Sequence, residues 1–201
     1  MSDENAILQY YQAIVNGSVV VGEWIRKWYA FIVEGLQENR FSFDKKAADK
    51  VILFCENFAR HHEGVLAPNL IRLELWQKAL LSVMFGIVDD SGRRVFREVV
   101  LVVSRKNGKS LLAAAIANYV WKCGGYGTRI FCIAPKLDQT AIIYDSIWNQ
   151  TTLSPDYQNL KAQVKAGIKY HERKTVDDSE LPKHRQSDLY IAASNSVVKK
   201  V

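Results

Sequence analysis

The sequence predicts an α/β protein in which a parallel sheet is preceded by an N-terminal helical region. Three observations predict it. Apolar residues recur at helical spacing through residues 1–65, the expected helical region. In residues 66–201, β-branched runs alternate with helical patterns: "FREVVLVVS", "GKSLLAAAIANYVWKCGG", "TRIFCIAP" and "KLDQTAIIYDSIWNQTT" follow one another. Strand–helix–strand–helix order builds right-handed βαβ units and a parallel sheet. A Gly-Lys-Ser, Gly108–Ser110, stands where the first of these runs meets the first helix.

The elements follow in order. "NAILQYYQAIVNG" puts Ile7, Tyr10, Tyr11, Ile14 and Val15 on one helix face and stops at Asn16–Gly17. A second helix is expected from about Gly22 to Glu38, with Trp24, Ile25, Trp28, Phe31, Ile32 and Gly35 on its buried side. A third lies in "SFDKKAADKVILFCENFARHH", capped by Ser42 or Asp44, with Ala47, Ala48, Val51, Ile52, Cys55 and Phe58 as its apolar stripe. Gly64 and Pro68 break "EGVLAPNLIRL", the expected link between the two regions. "ELWQKALLSVMFGI" then reads as a helix ended by the turn "DDSGRR". "FREVVLVVS" and "TRIFCIAP" read as buried strands because their apolar residues run on without alternation. Near the end, "AGIKYHE" and "SDLYIAAS" are expected strands, and "RKTVDDSELPKHRQ" between them is an expected loop.

Composition narrows the class. The chain has 201 residues, 48% hydrophobic and 24% charged, as ordinary globular proteins do. No apolar run approaches the ~18 residues that span a bilayer, so no membrane role is expected. "MSDENAILQYY" is acidic and mixed, unlike a secretory signal. Cys55, Cys123 and Cys132 are odd in number and form no CxxC pair, which argues against a disulfide framework or zinc site and for a reducing, cytosolic compartment. His61, His62, His171 and His184 lack ligand spacing. The net charge of +6 suits an anionic partner such as nucleic acid. From Lys161 onward nine Lys/Arg face five Asp/Glu, which fits a solvated basic surface and a DNA track equally.

"VSRKNGKS", Val103–Ser110, is where chemistry enters. The phosphate-loop pattern G-x-x-x-x-G-K-[ST] wants glycine where Val103 stands. Strand, tight loop and helix nevertheless follow in the required order, with Val103 as the last strand residue. The expected architecture is therefore a partial P-loop NTPase-type parallel sheet. The expected nucleotide-binding residues are Ser104, Arg105, Lys106, Asn107, Gly108, Lys109, Ser110 and Leu111. Free N–H groups and the positive dipole end at the helix start favour phosphate, and Gly108 lets the backbone approach it. Lys109 would reach the β- and γ-phosphates of ATP, and the Ser110 hydroxyl would ligate Mg²⁺. Arg105 has two readings. Its guanidinium forks to the γ-phosphate and acts in cis as an arginine finger, a catalytic role shared with Lys109, or it turns outward and pairs with an acid.

Several segments together resemble the large terminase subunit of tailed bacteriophages, the ATPase motor that packages DNA into procapsids. "SRKNGKS" is similar to that family's deviant phosphate loop, which dispenses with the first glycine and carries an internal arginine. "LELWQKALLSVMFGI" resembles its "WQ" segment, and "RIFCIAPKLDQTAIIYDSIW" the strand and helix that follow its first ATPase helix. "YYQAIVNGSVVVGEWIRKW" and "FSFDKKAADKVILFCEN" resemble the helical region that precedes them. The resemblance implies that Gln77 contacts adenine with Trp76 packed nearby, and that Arg105 faces the γ-phosphate. It implies a coupling or DNA role near Asp138 and Gln139. It further implies double-stranded DNA, a small terminase subunit and a portal as partners, a homo-oligomeric ring, and a phage or prophage protein in the host cytoplasm.

A complete site of this type also needs a strand ending in an acid for Mg²⁺. None follows Ser110, and "SDLYIAAS" runs into Asn195 instead. The sequence is thus expected to be the N-terminal portion of such a motor, ending before Walker B, binding ATP without hydrolysing it at a motor's rate and carrying no nuclease. Two other classes stand beside this one: a P-loop DNA-dependent ATPase or helicase fragment, and a non-catalytic DNA-binding or adaptor module with a relic nucleotide loop.

Overall fold

The computed structural model describes residues 5–125, 127–135, 137–153 and 187–193. By contact the chain forms two units that interleave along the sequence. One comprises Met1–Glu56 and Arg72–Val102, the other Asn57–Ile71 and Val103–Val201.

The first unit holds α1 (Ala6–Val15), α2 (Glu23–Gln37), β1 (Ser42–Phe43), most of α3 (Lys45–Phe58), α4 (Leu75–Gly86) and β2 (Ile87–Val88). Helices α1 and α3 begin where short polar side chains satisfy free N–H groups. Asn5 Oδ1 accepts from the Ile7 N–H at 2.9 Å, and Asp44, the second of the two expected caps, accepts from the Ala47 N–H at 3.0 Å. Helix α1 ends at Asn16, followed by Gly17 at φ +78°. Its Ile7, Tyr10 and Ile14, three and four residues apart, pack with Tyr29, Ile32 and Val33 of α2 and with Ala79 and Val83 of α4. Strands β1 and β2 pair antiparallel, with Phe43 opposite Ile87.

The buried face of α2 differs from the expected one. Ile32 and Gly35 are buried as expected, but their companions are Tyr29 and Val33. Trp24 is 82% exposed and Ile25 43%. Trp28 and Phe31 are also exposed, stacked on each other at 5.9 Å between centroids, with Trp28 edge-on to Phe96 at 5.1 Å. Apolar residues lie on two adjoining sides of this helix, and the neighbours α1 and α4 select one. Gly35 is required where it stands, because a Cβ there would run into the Phe41 ring. In α3 the buried set is Ala48, Val51, Phe54 and Cys55, while Ala47, Ile52 and Phe58 are half-buried.

The second unit holds α5 (Lys109–Cys123), β3 (Thr128–Ala134), α6 (Leu137–Leu153) and β4 (Ser187–Ala193). β3 and β4 run parallel, from Thr128 opposite Ser187 to Ala134 opposite Ala193, as the strand–helix alternation predicts. Ala114 of α5, Cys132 of β3, and Tyr144 and Ile147 of α6 form the core, with Trp121, Ile130 and Trp148 packed against it.

Two strand expectations are corrected. Residues 96–104 form no strand. Extended backbone becomes a strand only by pairing, and among the described residues none pairs with this run; Val100 and Val102 are 89% and 90% exposed. β3 is covered on one side rather than both. Cys132 is buried, whereas Phe131 and Ile133 are exposed, so period-2 geometry separates residues that the sequence presents as one apolar run. "AGIKYHE" and "RKTVDDSELPKHRQ" lie outside the described residues.

The cysteines differ in environment. Burial, and then the neighbouring Glu56, push the Cys55 thiol up to about 12, and burial raises Cys132. Cys123 is exposed at the end of α5. Thiolate is the reactive form, so at pH 8 a thiol-specific reagent is expected to modify one cysteine of the folded chain rapidly. Cys123→Ser should remove that phase, and a fast phase persisting in the variant contradicts the burial of the other two.

Candidate functional site

The segment Ser104–Gly108 leads directly into α5. Two of its residues have left-handed backbone, Lys106 at φ +65° and Gly108 at φ +68°, ψ +19°. Gly108 adopts this freely, whereas Lys106 is held in it at a cost of about 1 kcal/mol or more. Ser104 anchors the loop. The Asn107 Nδ2 donates to Ser104 Oγ at 2.6 Å, and the Lys109 ammonium donates to the Ser104 carbonyl at 2.7 Å. Left-handed residues in a tight turn are one device from which anion-binding backbone concavities are made. Lys109, Ser110 and Leu111 open α5, so their N–H groups have no carbonyl four residues back within the helix.

The loop contributes to an open cavity of about 270 Å³, lined by Lys106, Gly108, Lys109, Ser110 and Leu111 on one part of its wall and by His61, His62 and Glu63 on another. The histidines arrive on an antiparallel turn. The His61 N–H donates to the Asn69 carbonyl and the Ile71 N–H to the Ala59 carbonyl, both at 2.9 Å, and Arg60 bridges Leu70. Sequence reading missed these residues because nothing at positions 61–63 marks proximity to a loop more than forty residues later. Their only signal was two adjacent histidines beside a Gly/Pro break.

α5 is tied to α6 by buried polar groups. Gln150, 1% exposed, donates from Nε2 to the Leu111 carbonyl at 3.1 Å and accepts at Oε1 from Asn118 Nδ2 at 3.3 Å. Thr151 Oγ1 lies 3.1 Å from Asn118 Oδ1 as donor. Gln150→Leu keeps the volume but removes the buried side-chain donor to the Leu111 carbonyl and one of the partners of Asn118, and is expected to cost about 1–3 kcal/mol. Urea unfolding checks this, and an unchanged midpoint contradicts it.

The remaining expected site residues lie as follows. Arg105 is exposed, lies outside the cavity lining and forms no ion pair among the described residues. In the first unit, Gln77 Oε1 accepts from the Glu74 N–H at 2.9 Å at the start of α4, and Trp76 packs against the helical core. Asp138 and Gln139 fall in the first turn of α6, with Gln139 exposed. The donors at the cavity suit a magnesium–triphosphate: cationic side chains, helix-start N–H groups and one hydroxyl, Ser110, able to join phosphate oxygens around a hard cation. Among the described residues there is no group of three or more His, Cys, Asp or Glu that could hold a metal, and no helix long and apolar enough to cross a membrane.

Comparison with known proteins places these features in a family. The family described as "Terminase large subunit, ATPase domain" matches residues 75–201. Among solved structures, the crystal structure of the HK97 bacteriophage large terminase matches with a TM-score of 0.47 and 24% identity, over 56% of this chain and 22% of that one. The chain thus spans about a fifth of the length of that terminase. No curated protein matches it.

Proposed function

Because this chain belongs to the terminase large subunit family, matching its ATPase domain over residues 75–201, we propose that it is part of a phage DNA-packaging motor and binds ATP with Mg²⁺ through a deviant phosphate loop. The observation that carries the reading is the cationic loop closed on Ser104, with left-handed Gly108 at the N-terminus of α5 and the Lys109 ammonium beside it. The free N–H groups and dipole of a fifteen-residue helix attract phosphate. Lys109 leaves the Ser104 carbonyl to take the β- and γ-phosphates. Ser110 presents its hydroxyl to Mg²⁺, which supplies charge neutralisation at the phosphate oxygens. Ser104, Lys106, Asn107 and Leu111 shape and line the loop. Arg105 swings to the γ-phosphate once nucleotide is present, since catalytic contacts tighten on binding. Gln77 and Trp76 are proposed as adenine contacts on the strength of the sequence resemblance. Residues 66–201 are accordingly proposed as a partial P-loop ATPase domain behind a helical region, residues 1–65.

Double-stranded DNA, a small terminase subunit, a portal and a homo-oligomeric ring are the proposed partners, in the host cytoplasm. The first test is direct. A fluorescent ATP analogue titrated with Mg²⁺ into the 201-residue chain should bind saturably and be displaced by ATP. Fluorescence that does not saturate, or is not displaced, overturns the reading.

A further inference from the structure

Ser146, Gln150 and Thr151 of α6 are each 3% exposed or less, and each bonds a group outside its own helix. Ser146 and Gln150 stand one turn apart on one face of α6, and they reach the two parts of the cavity wall. Gln150 Nε2 donates to the carbonyl of Leu111, on the α5 part, at 3.1 Å. Ser146 Oγ lies 3.3 Å from Nε2 of His62, on the part formed by residues 61–63. The Ser146 hydroxyl donates to the Ile142 carbonyl at 2.8 Å, so its oxygen accepts from His62. α6 is anchored separately from these bonds, by Tyr144 and Ile147 in the core with Ala114 and Cys132. Apolar contacts are non-directional and let packed helices slide. A hydrogen bond weakens steeply out of line, so buried polar groups are satisfied only in the register that pairs them.

We propose, resting on the nucleotide reading above, that Ser146 and Gln150 are positioning residues for the triphosphate. Through them α6 is a brace that holds the two parts of the cavity wall at the separation the bound nucleotide needs. Both act through the residues they hold, His62 and Leu111. A wall fixed before binding removes the cost of ordering it when the ligand arrives. When one bond of the brace is lost, the wall takes up other positions, and affinity falls with the fraction of molecules that stays competent. The same two bonds place α6 where movement of either part of the wall is felt at a single helix face.

The test measures Mg-ATP affinity, urea midpoint and wall separation in the wild-type chain, Ser146→Ala, Gln150→Leu and Thr151→Val. Thr151 is the control. It is as buried as Ser146, but it bonds Asn118 and the Ile147 carbonyl, and neither residue lines the cavity. Ser146→Ala and Gln150→Leu are each expected to weaken Mg-ATP binding about fivefold, the effect of one net hydrogen bond. Thr151→Val should stay within about twofold at a comparable fall in urea midpoint. Wall separation is read without nucleotide, from spin labels on Glu63→Cys and Lys106→Cys. Both positions are exposed and line the cavity. The labels are placed in a Cys123→Ser background, where the remaining native cysteines are buried. The distance distribution should broaden in Ser146→Ala and Gln150→Leu but not in Thr151→Val. Affinities that follow the urea midpoint in all three variants, or distance distributions that do not differ among them, overturn the brace and leave the nucleotide site standing. A wild-type chain that binds no Mg-ATP overturns the nucleotide reading, and the positioning role with it, even where the label distances change as expected.

Discussion

Lys109→Ala is expected to weaken Mg-ATP binding about a hundredfold, the largest functional effect of any single substitution in this chain. Lys109 is the first residue of α5, and its ammonium spans the loop to the Ser104 carbonyl at 2.7 Å. In the proposed complex a triphosphate replaces that neutral acceptor with anionic oxygens. Each charge-assisted hydrogen bond contributes about 1.5–3 kcal/mol, and tenfold in affinity corresponds to about 1.4 kcal/mol. Losing one or two such bonds therefore costs one to several powers of ten. Lys109→Arg should not restore binding, because a planar fork does not reproduce a compact ammonium in a loop this tight. The substitution should leave folding nearly intact, since the bond to Ser104 is solvent-exposed. Isothermal titration with Mg-ATP, paired with a urea midpoint, separates the two effects. Equal nucleotide binding by Lys109→Ala and wild type would remove the loop from the function.

Ile32→Ala is expected to cost about 2–5 kcal/mol of stability, as other large-to-small changes at fully buried positions do. Ile32 is fully buried in the core shared by α1, α2 and α4. Trp24→Ala, at the second residue of the same helix, removes a larger side chain that is 82% exposed, and should stay within about 0.5 kcal/mol. Urea unfolding of the two variants decides which face of α2 is inside. A loss from Trp24→Ala as large as that from Ile32→Ala would restore Trp24 to the buried side, where the sequence places it with Ile32.

That contrast marks where sequence reading stops. The starts of α1 and α3 were legible because Asn5 and Asp44 cap helices through their own local chemistry. The loop into α5 was legible for the same reason: Gly108, Lys109 and Ser110 act on the backbone they belong to. The buried side of α2 was not, because Trp24, Trp28 and Phe31 make as good an apolar stripe as Tyr29, Ile32 and Val33, and the choice belongs to α1 and α4. The run at 96–104 has strand composition without a ladder partner among the described residues. His61, His62 and Glu63 reach the loop only because the antiparallel turn at residues 59–71 carries them there.

The sequence by itself thus determined helix boundaries, the Gly-Lys-Ser at the start of α5 and the family resemblance, since each rests on residues a few positions apart acting on a shared stretch of backbone. Tertiary structure alone decided which side of α2 is buried, that β3 is covered on one face, and that His62 stands beside Lys109 and Ser110. Those outcomes depend on contacts between segments distant in the chain, and local periodicity carries no information about which distant segment arrives.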